Sequence, residues 1–393
     1  MSKNSPDRVA LVSTSYPLTN SDISGTFVLK LAQALSEYTS ITVITPADDK
    51  DECISNSIID FRYAPRKLQV LAHQPGGIPG ALNRSKWNAL LFPFFFLSMA
   101  ANVLRVAFRV DVIHANWSIT GVICGLIGKL TNTACITTLR GEDVARLKHS
   151  ALSRWIAGLC VILNDTTVCV SVSMLKTVVD LWPRYKHKIL HIPNGVDVPR
   201  GGEPIHKSKR DKQEFRILAV GSLIPRKDFA TLIRAVSESN QKKNISVKII
   251  GDGFEKLMLE KLIRDSNMED RINLAGVLQH DEVLEQMRRS DLFILTSRSE
   301  GRPNVLLEAM ATGLPVICSD IEGVRELIDN NQNGLLFEKG NHIELTQKIE
   351  FLLSDSKQRV NLGINATKKI SESGLTWQSS AEQYFQLYKR IVK

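Results

Sequence analysis

Ser299 to Met310, S-E-G-R-P-N-V-L-L-E-A-M, sets two carboxylates around a proline-led helix start. The preceding D-L-F-I-L-T-S, Asp291 to Ser297, is a short apolar run suited to a buried parallel strand. Pro303 suits the first turn of a helix, and Gly313 followed by Pro315 ends it. Backbone N–H groups and the positive dipole end at such a helix start attract phosphate, whereas Glu300 and Glu308 repel it. An ionised glutamate only accepts hydrogen bonds, so its natural partners are hydroxyl groups. Amides for phosphate beside acids for hydroxyls suit a nucleotide sugar. The competing reading is one surface glutamate and one helical one.

The strand, the glycine, the proline and the G-L-P that follows sharpen the pattern. E-G-R-P-N-V-L-L-E-A-M-A-T-G-L-P-V resembles the signature of family 4 glycosyltransferases, retaining enzymes with the α/β GT-B fold. The resemblance implies two Rossmann-like domains whose parallel sheets face across a cleft, with a C-terminal helix crossing back to the first domain. It puts Glu308 where the ribose hydroxyls bind and Glu300 nearest the transferred sugar and its phosphate. V-G-S-L-I-P-R-K-D is similar to the family's V-G-R-L-x-x-x-K-G, so Lys227 matches the lysine on the donor phosphate and Ser222 replaces the usual arginine. Arg226 is the candidate second cation, with an exposed loop arginine as the alternative. Pro303 has no N–H, so amide donation at the helix start begins with Asn304 and Val305.

In the first half, the loop S-Y-P-L-T-N-S-D-I-S-G-T-F-V contains Gly25 just ahead of a helix. Alone it reads as a turn glycine; the resemblance makes it the glycine loop that faces the donor phosphates. T-T-L-R-G-E-D-V places Arg140 and Asp143 at the carboxyl end of a buried strand. Arginine offers a forked donor set for phosphate or carboxylate, and Asp143 could orient it or hold an acceptor hydroxyl. An internal salt bridge is the alternative. Many family members carry histidine where Arg140 stands, which leaves the sugar open. His114, in D-V-I-H-A-N-W with Asn116, reads as a structural histidine, and Asn194 and Asp197 in P-N-G-V-D as a hinge turn. G-D-G at Gly251 to Gly253 and the turn ending at Val277 are strand-end turns that frame the base in the family.

Alternating strands and helices position these residues throughout, the pattern of parallel sheets covered by helices. The first half reads as strands R-V-A-L-V-S-T, I-T-V-I-T, D-V-I-H-A, A-C-I-T-T-L, T-T-V-C-V-S and K-I-L-H-I-P. The second reads as F-R-I-L-A-V, S-V-K-I-I, N-L-A-G-V, D-L-F-I-L-T-S and L-P-V-I-C-S. Residues 1–198 form the expected acceptor domain, 199–214 a polar linker, 215–375 the nucleotide-sugar domain and 376–393 the crossover helix. That helix has Thr376 as cap and an apolar stripe of Ala381, Tyr384, Phe385, Tyr388 and Ile391. Ligands of open α/β sheets bind at the carboxyl ends of the strands, so the donor is expected between the domains.

A chain of 393 residues, 43% hydrophobic and 23% charged, suits two α/β domains and excludes global disorder. No apolar segment precedes V-A-L-V-S-T, so a secretory signal is not expected and a cytoplasmic location is. The six cysteines form no C-x-x-C pair and read as buried, reduced thiols. Neither metal nor cofactor is expected beyond the donor. The formal charge of +9 comes without an aromatic-rich basic motif, so nucleic acid is not the expected partner. Trp87 to Leu104 lacks charge and is flanked by Arg84, Lys86, Arg105 and Arg109. A core helix is its first reading, contact with an anionic membrane its second and a membrane span its third.

The reaction the resemblance implies is transfer of a hexosyl unit from a nucleoside diphosphate sugar to an acceptor hydroxyl with retention. The acceptor would be a glycan or lipid-linked glycan of the cell surface, met at the inner membrane face. Paired carboxylates also serve glycoside hydrolysis, but that reading leaves the phosphate-binding features unused. A GT-B sugar-nucleotide epimerase and a non-catalytic membrane-associated binding protein are the remaining alternatives.

Overall fold

A computed structural model describes residues 6–18, 25–47, 57–72, 77–148, 150–197 and 214–392. The chain divides into two compact units, Met1–Gly195 with Trp377–Lys393, and Val196–Thr376. The expected linker lies outside the described residues except for Glu214.

The first unit holds seven parallel strands: β1 Arg8–Val12, β2 Ser40–Pro46, β3 Ile58–Phe61, β4 Val112–Asn116, β5 Ala134–Leu139, β6 Thr166–Cys169 and β7 Ile189–His191. Their order is β3-β2-β1-β4-β5-β6-β7. Strand side chains alternate between faces. Val9 and Leu11 therefore pack with helices Thr26–Leu35 and Trp377–Ile391, and Ala10 and Val12 pack with helix Phe92–Ala107. The C-terminal helix belongs to this core: Ala381, Tyr384, Phe385 and Tyr388 are buried, and Ser380 Oγ donates to Pro193 O at 2.7 Å.

The second unit holds six parallel strands: β8 Phe215–Val220, β9 Ile245–Ile250, β10 Ile272–Leu274, β11 Leu292–Leu295, β12 Val316–Ser319 and β13 Leu335–Phe337. Their order is β10-β9-β8-β11-β12-β13. Both sheets thus reverse direction of winding once, between β1 and β4 and between β8 and β11. At such a switch point the connections leave in opposite directions and open a crevice at the carboxyl strand ends. Ile217 and Ala219 of β8 face one core layer and Leu218 the other, with Leu306, Leu307 and Met310 of helix Asn304–Ala311.

The 87–104 segment is a helix, but only half of it is core. Residues Lys86–Leu91 form a 3₁₀ turn that runs into helix Phe92–Ala107, whose Phe95, Met99, Val103 and Ala107 are buried. Its other side is exposed, so the core reading describes one face. Strands β3 and β13, which sequence patterning did not pick out, lie at sheet edges.

Candidate active site

In the second unit, the loops that leave β8 and β11 meet at the switch point. Lys227 Nζ lies 2.5 Å from Glu300 Oε1, and Arg226 Nη1 lies 3.1 Å from Glu300 Oε2. Ser297 Oγ donates to Glu300 Oε1 at 2.7 Å, and Arg226 Nη1 also donates to Ser299 O at 3.0 Å. Backbone contacts fix the two loops to each other: Arg298 N donates to Arg226 O and Thr296 Oγ1 to Lys227 O, both at 2.8 Å. Arg298 closes a further pair with Asp228 at 3.0 Å.

The Glu300 side chain is only 8% exposed. Burial pushes its carboxyl pKa up, but Lys227, Arg226 and the Ser297 hydroxyl outweigh that and hold it below the ordinary value. Glu300 is therefore an ionised acceptor, not an acid that can protonate a leaving group. Two cations share this one carboxylate on a rigid loop pair, an arrangement that favours an incoming polyanion.

Helix Asn304–Ala311 begins three residues after Gly301. Pro303 sits one position before the helix, at its N-cap, not in the first turn as the sequence pattern suggests. Its carbonyl accepts from Leu306 N and Leu307 N, so the Asn304 and Val305 amides occupy the first turn. Glu308, on the same helix, is partly exposed with His280 Nδ1 3.9 Å away. The two glutamates thus take different partners. Ser222 stands in the β8 loop, whose Leu223 exchanges backbone bonds with Asp252 and Glu255. Gly251 N donates to Gly276 O at 2.8 Å, tying the G-D-G turn to the loop that ends at exposed Val277.

In the first unit, Gly25 precedes helix Thr26–Leu35 with φ +81, and a Cβ there would meet Ser15 O at 2.2 Å. Only glycine fits. Arg140 is buried, its fork spread over two amide oxygens: Nη1 to Asn194 Oδ1 and Nη2 to Asn116 Oδ1, each 2.6 Å. Its Cζ lies 4.7 Å from the Phe27 ring centroid. Asp143 accepts from Arg140 N at 3.0 Å and from the Ser118 N–H and hydroxyl at 3.0 and 2.6 Å. Neither the side-chain salt bridge nor an open phosphate fork forms here. Burial raises the Asp143 pKa in spite of these bonds.

His114 is fully buried, its Nδ1 2.7 Å from the Tyr388 hydroxyl and its Nε2 2.8 Å from Thr138 Oγ1. Burial, then Arg140, pushes its pKa down to about 3, which fits the structural role expected of it. Asn194, expected as a hinge-turn residue, is a buried partner of Arg140. Sequence reasoning passed over Ser297 and Gly323. Ser297 stands three residues before Glu300 in the same loop, and its hydroxyl donates to that carboxylate. Gly323 has no local signal; only packing reveals it.

Residues 24–200 match the family model described as Glycosyltransferase Family 4, and residues 203–369 the model described as Glycosyl transferases group 1. An N-acetyl-alpha-D-glucosaminyl L-malate synthase of Bacillus anthracis is 24% identical over 79% of this chain and 83% of its own. A UDP-Gal:alpha-D-GlcNAc-diphosphoundecaprenol alpha-1,3-galactosyltransferase of Escherichia coli is 28% identical over 58% and 63%. The crystal structure of Anabaena HepE in complex with UDP-glucose superposes with a TM-score of 0.75 at 18% identity, covering 98% of this chain and 99% of that one.

Proposed function

Because the chain belongs to family 4 of the glycosyltransferases, with their GT-B fold, we propose that it moves a hexosyl unit from a nucleoside diphosphate sugar to an acceptor hydroxyl with retention of anomeric configuration. The observation that carries this reading is the Glu300 carboxylate held by Lys227 and Arg226 at the switch point of the second unit. Breaking a glycosidic bond to a diphosphate builds charge on the leaving group. Fixed cations and first-turn amides stabilise that charge where it develops. Lys227, Arg226 and the Asn304 and Val305 amides supply these donors, while ionised Glu300 accepts from sugar hydroxyls and Glu308 from the ribose. Lys227 and Arg226 hold Glu300 below the ordinary carboxylate pKa, which makes it a poor base, so the departing diphosphate itself takes the acceptor proton as the new bond forms.

The acceptor we propose is a lipid-linked glycan of a cell-surface polysaccharide or glycolipid; the name of the Escherichia coli relative gives that protein an alpha-D-GlcNAc-diphosphoundecaprenol acceptor. The five described cysteines are buried free thiols, in keeping with a reducing, cytoplasmic compartment. The test is a panel of UDP-, GDP- and ADP-hexoses assayed for nucleotide release with and without lipid extract, with product mass and anomeric configuration read out. Acceptor-dependent release with retention is expected, and Lys227→Ala should lower turnover by about 100-fold or more. Acceptor-independent release with an epimerised sugar would overturn the assignment.

A further inference from the structure

Residues 61–164 contain twelve Lys and Arg against three Asp and Glu, the whole of the chain's formal excess of nine; the other 289 residues balance at 38 each. Two of those three acids are engaged internally, Asp111 with the Asp7 and Arg8 amides and Asp143 with Ser118 and Arg140. The same stretch carries the largest exposed apolar side chains of the first unit. Trp87, Leu90, Phe94 and Leu97 recur at spacings of three and four, and Leu104 follows seven residues on with Phe108 four beyond it, so they line one side of the helix that begins at Lys86. All but Leu104 are 61 to 79% exposed. Helix Ser118–Thr131 packs beside it and shows Leu126 and Leu130 outward; helix Ala151–Leu163 packs beside that one and shows Leu152 and Trp155.

We propose that the outer side of these three helices seats the protein on a bilayer that carries anionic headgroups. The apolar stripe enters the interface, and the exposed Lys86, Arg105, Arg109, Lys129 and Arg154 meet the headgroup phosphates. Charge decides between this occupant and a second copy of the chain. Two such faces docked together would oppose two concentrated positive fields, whereas an anionic surface neutralises one. A membrane span is incompatible with the fold, because Phe95, Met99 and Val103 are fully buried in the core of the first unit. The inference does not rest on the proposed reaction; it supplies the surface on which a lipid-linked acceptor would be met.

The experiment is flotation of the full chain with phosphatidylcholine vesicles, with and without phosphatidylglycerol, at low and high salt. Binding should require phosphatidylglycerol and fall by about tenfold or more in high salt. Phe94→Ser with Leu97→Ser, and separately Arg105→Glu with Arg109→Glu, should each lower partitioning by about tenfold or more. Lys227→Ala should float like the parent, which separates this inference from the catalytic one. On the unaltered chain, brominated lipids should quench tryptophan fluorescence, and Trp87→Phe with Trp155→Phe should remove most of that quenching. Equal binding to neutral vesicles, unchanged binding by both double variants, or no flotation would overturn the proposal. So would a concentration-dependent dimer, abolished by Leu97→Ser, in a chain that ignores vesicles.

Discussion

Gly323 lies so close to the loop of Glu300 that a Cβ at 323 would sit 2.3 Å from the Glu300 carbonyl oxygen and 2.8 Å from that of Gly301. The backbone that aims the buried carboxylate at Lys227 therefore rests on a residue of helix Glu322–Arg325, outside the loops that carry the charged groups. Gly323→Ala should push the loop outward at an overpacking cost of about 1–3 kcal/mol and lower turnover more than stability. Nucleotide-release kinetics alongside a thermal melt checks this; full activity with an unchanged melting temperature would contradict it.

Glu300 should also show in acid stability. Its folded pKa is held below the ordinary carboxylate value, so the folded state binds fewer protons than the unfolded one in the interval between the two values. Its contribution is complete above the unfolded pKa of about 4.3 and is lost as pH falls through the lower folded value. Glu300→Gln removes the charge that Lys227 and Arg226 share. Urea midpoints from pH 7 to pH 3 should therefore fall less steeply for this variant below about pH 4.3 than for the parent.

His114 acts higher in the pH range. With a folded pKa of about 3 against an ordinary 6.5, it stays neutral inside while the unfolded chain takes up a proton. Its contribution is intact above pH 6.5 and declines toward pH 3, at up to about 1.4 kcal/mol per pH unit. His114→Gln, measured by denaturant titration between pH 7 and pH 5, should flatten that slope. An unchanged slope would mean the ring is not held neutral.

Arg140 should be a residue of stability. Lysine carries one ammonium and cannot span both Asn116 and Asn194, so Arg140→Lys leaves at least one buried amide oxygen unsatisfied. The expected loss is about 1–3 kcal/mol by urea denaturation. Asn194→Ala should cost a comparable amount. If Arg140→Lys unfolds at the parent's midpoint, the fork contributes nothing.

Much of the architecture is written locally. Alternation of apolar strands and helical stretches, short turns, and loops placed after strands identify two parallel sheets, because strand and helix periods are local properties. The Glu300, Lys227 and Asn304 elements carry their own signals in G-S-L-I-P-R-K-D and S-E-G-R-P-N. Strands β3 and β13 escaped notice; β7 and β10 are no longer than these, but the apolar runs K-I-L-H-I-P and N-L-A-G-V extend past them and mark their place.

What the sequence by itself determined is which loops carry charge at strand ends; the family resemblance of G-S-L-I-P-R-K-D and S-E-G-R-P-N then implied that Lys227 and Glu300 belong to one chemistry. Only the tertiary structure decided that they meet at 2.5 Å, since 73 residues separate them and the sheet order alone brings β8 beside β11. It likewise turned Arg140 toward two asparagines 24 and 54 residues away, where sequence offered phosphate or Asp143. The Trp87 to Leu104 helix is apolar on nearly every side, so no stripe in its sequence tells inside from outside. That choice fell to packing, because only the sheet beneath it fixes which face loses water and which keeps it.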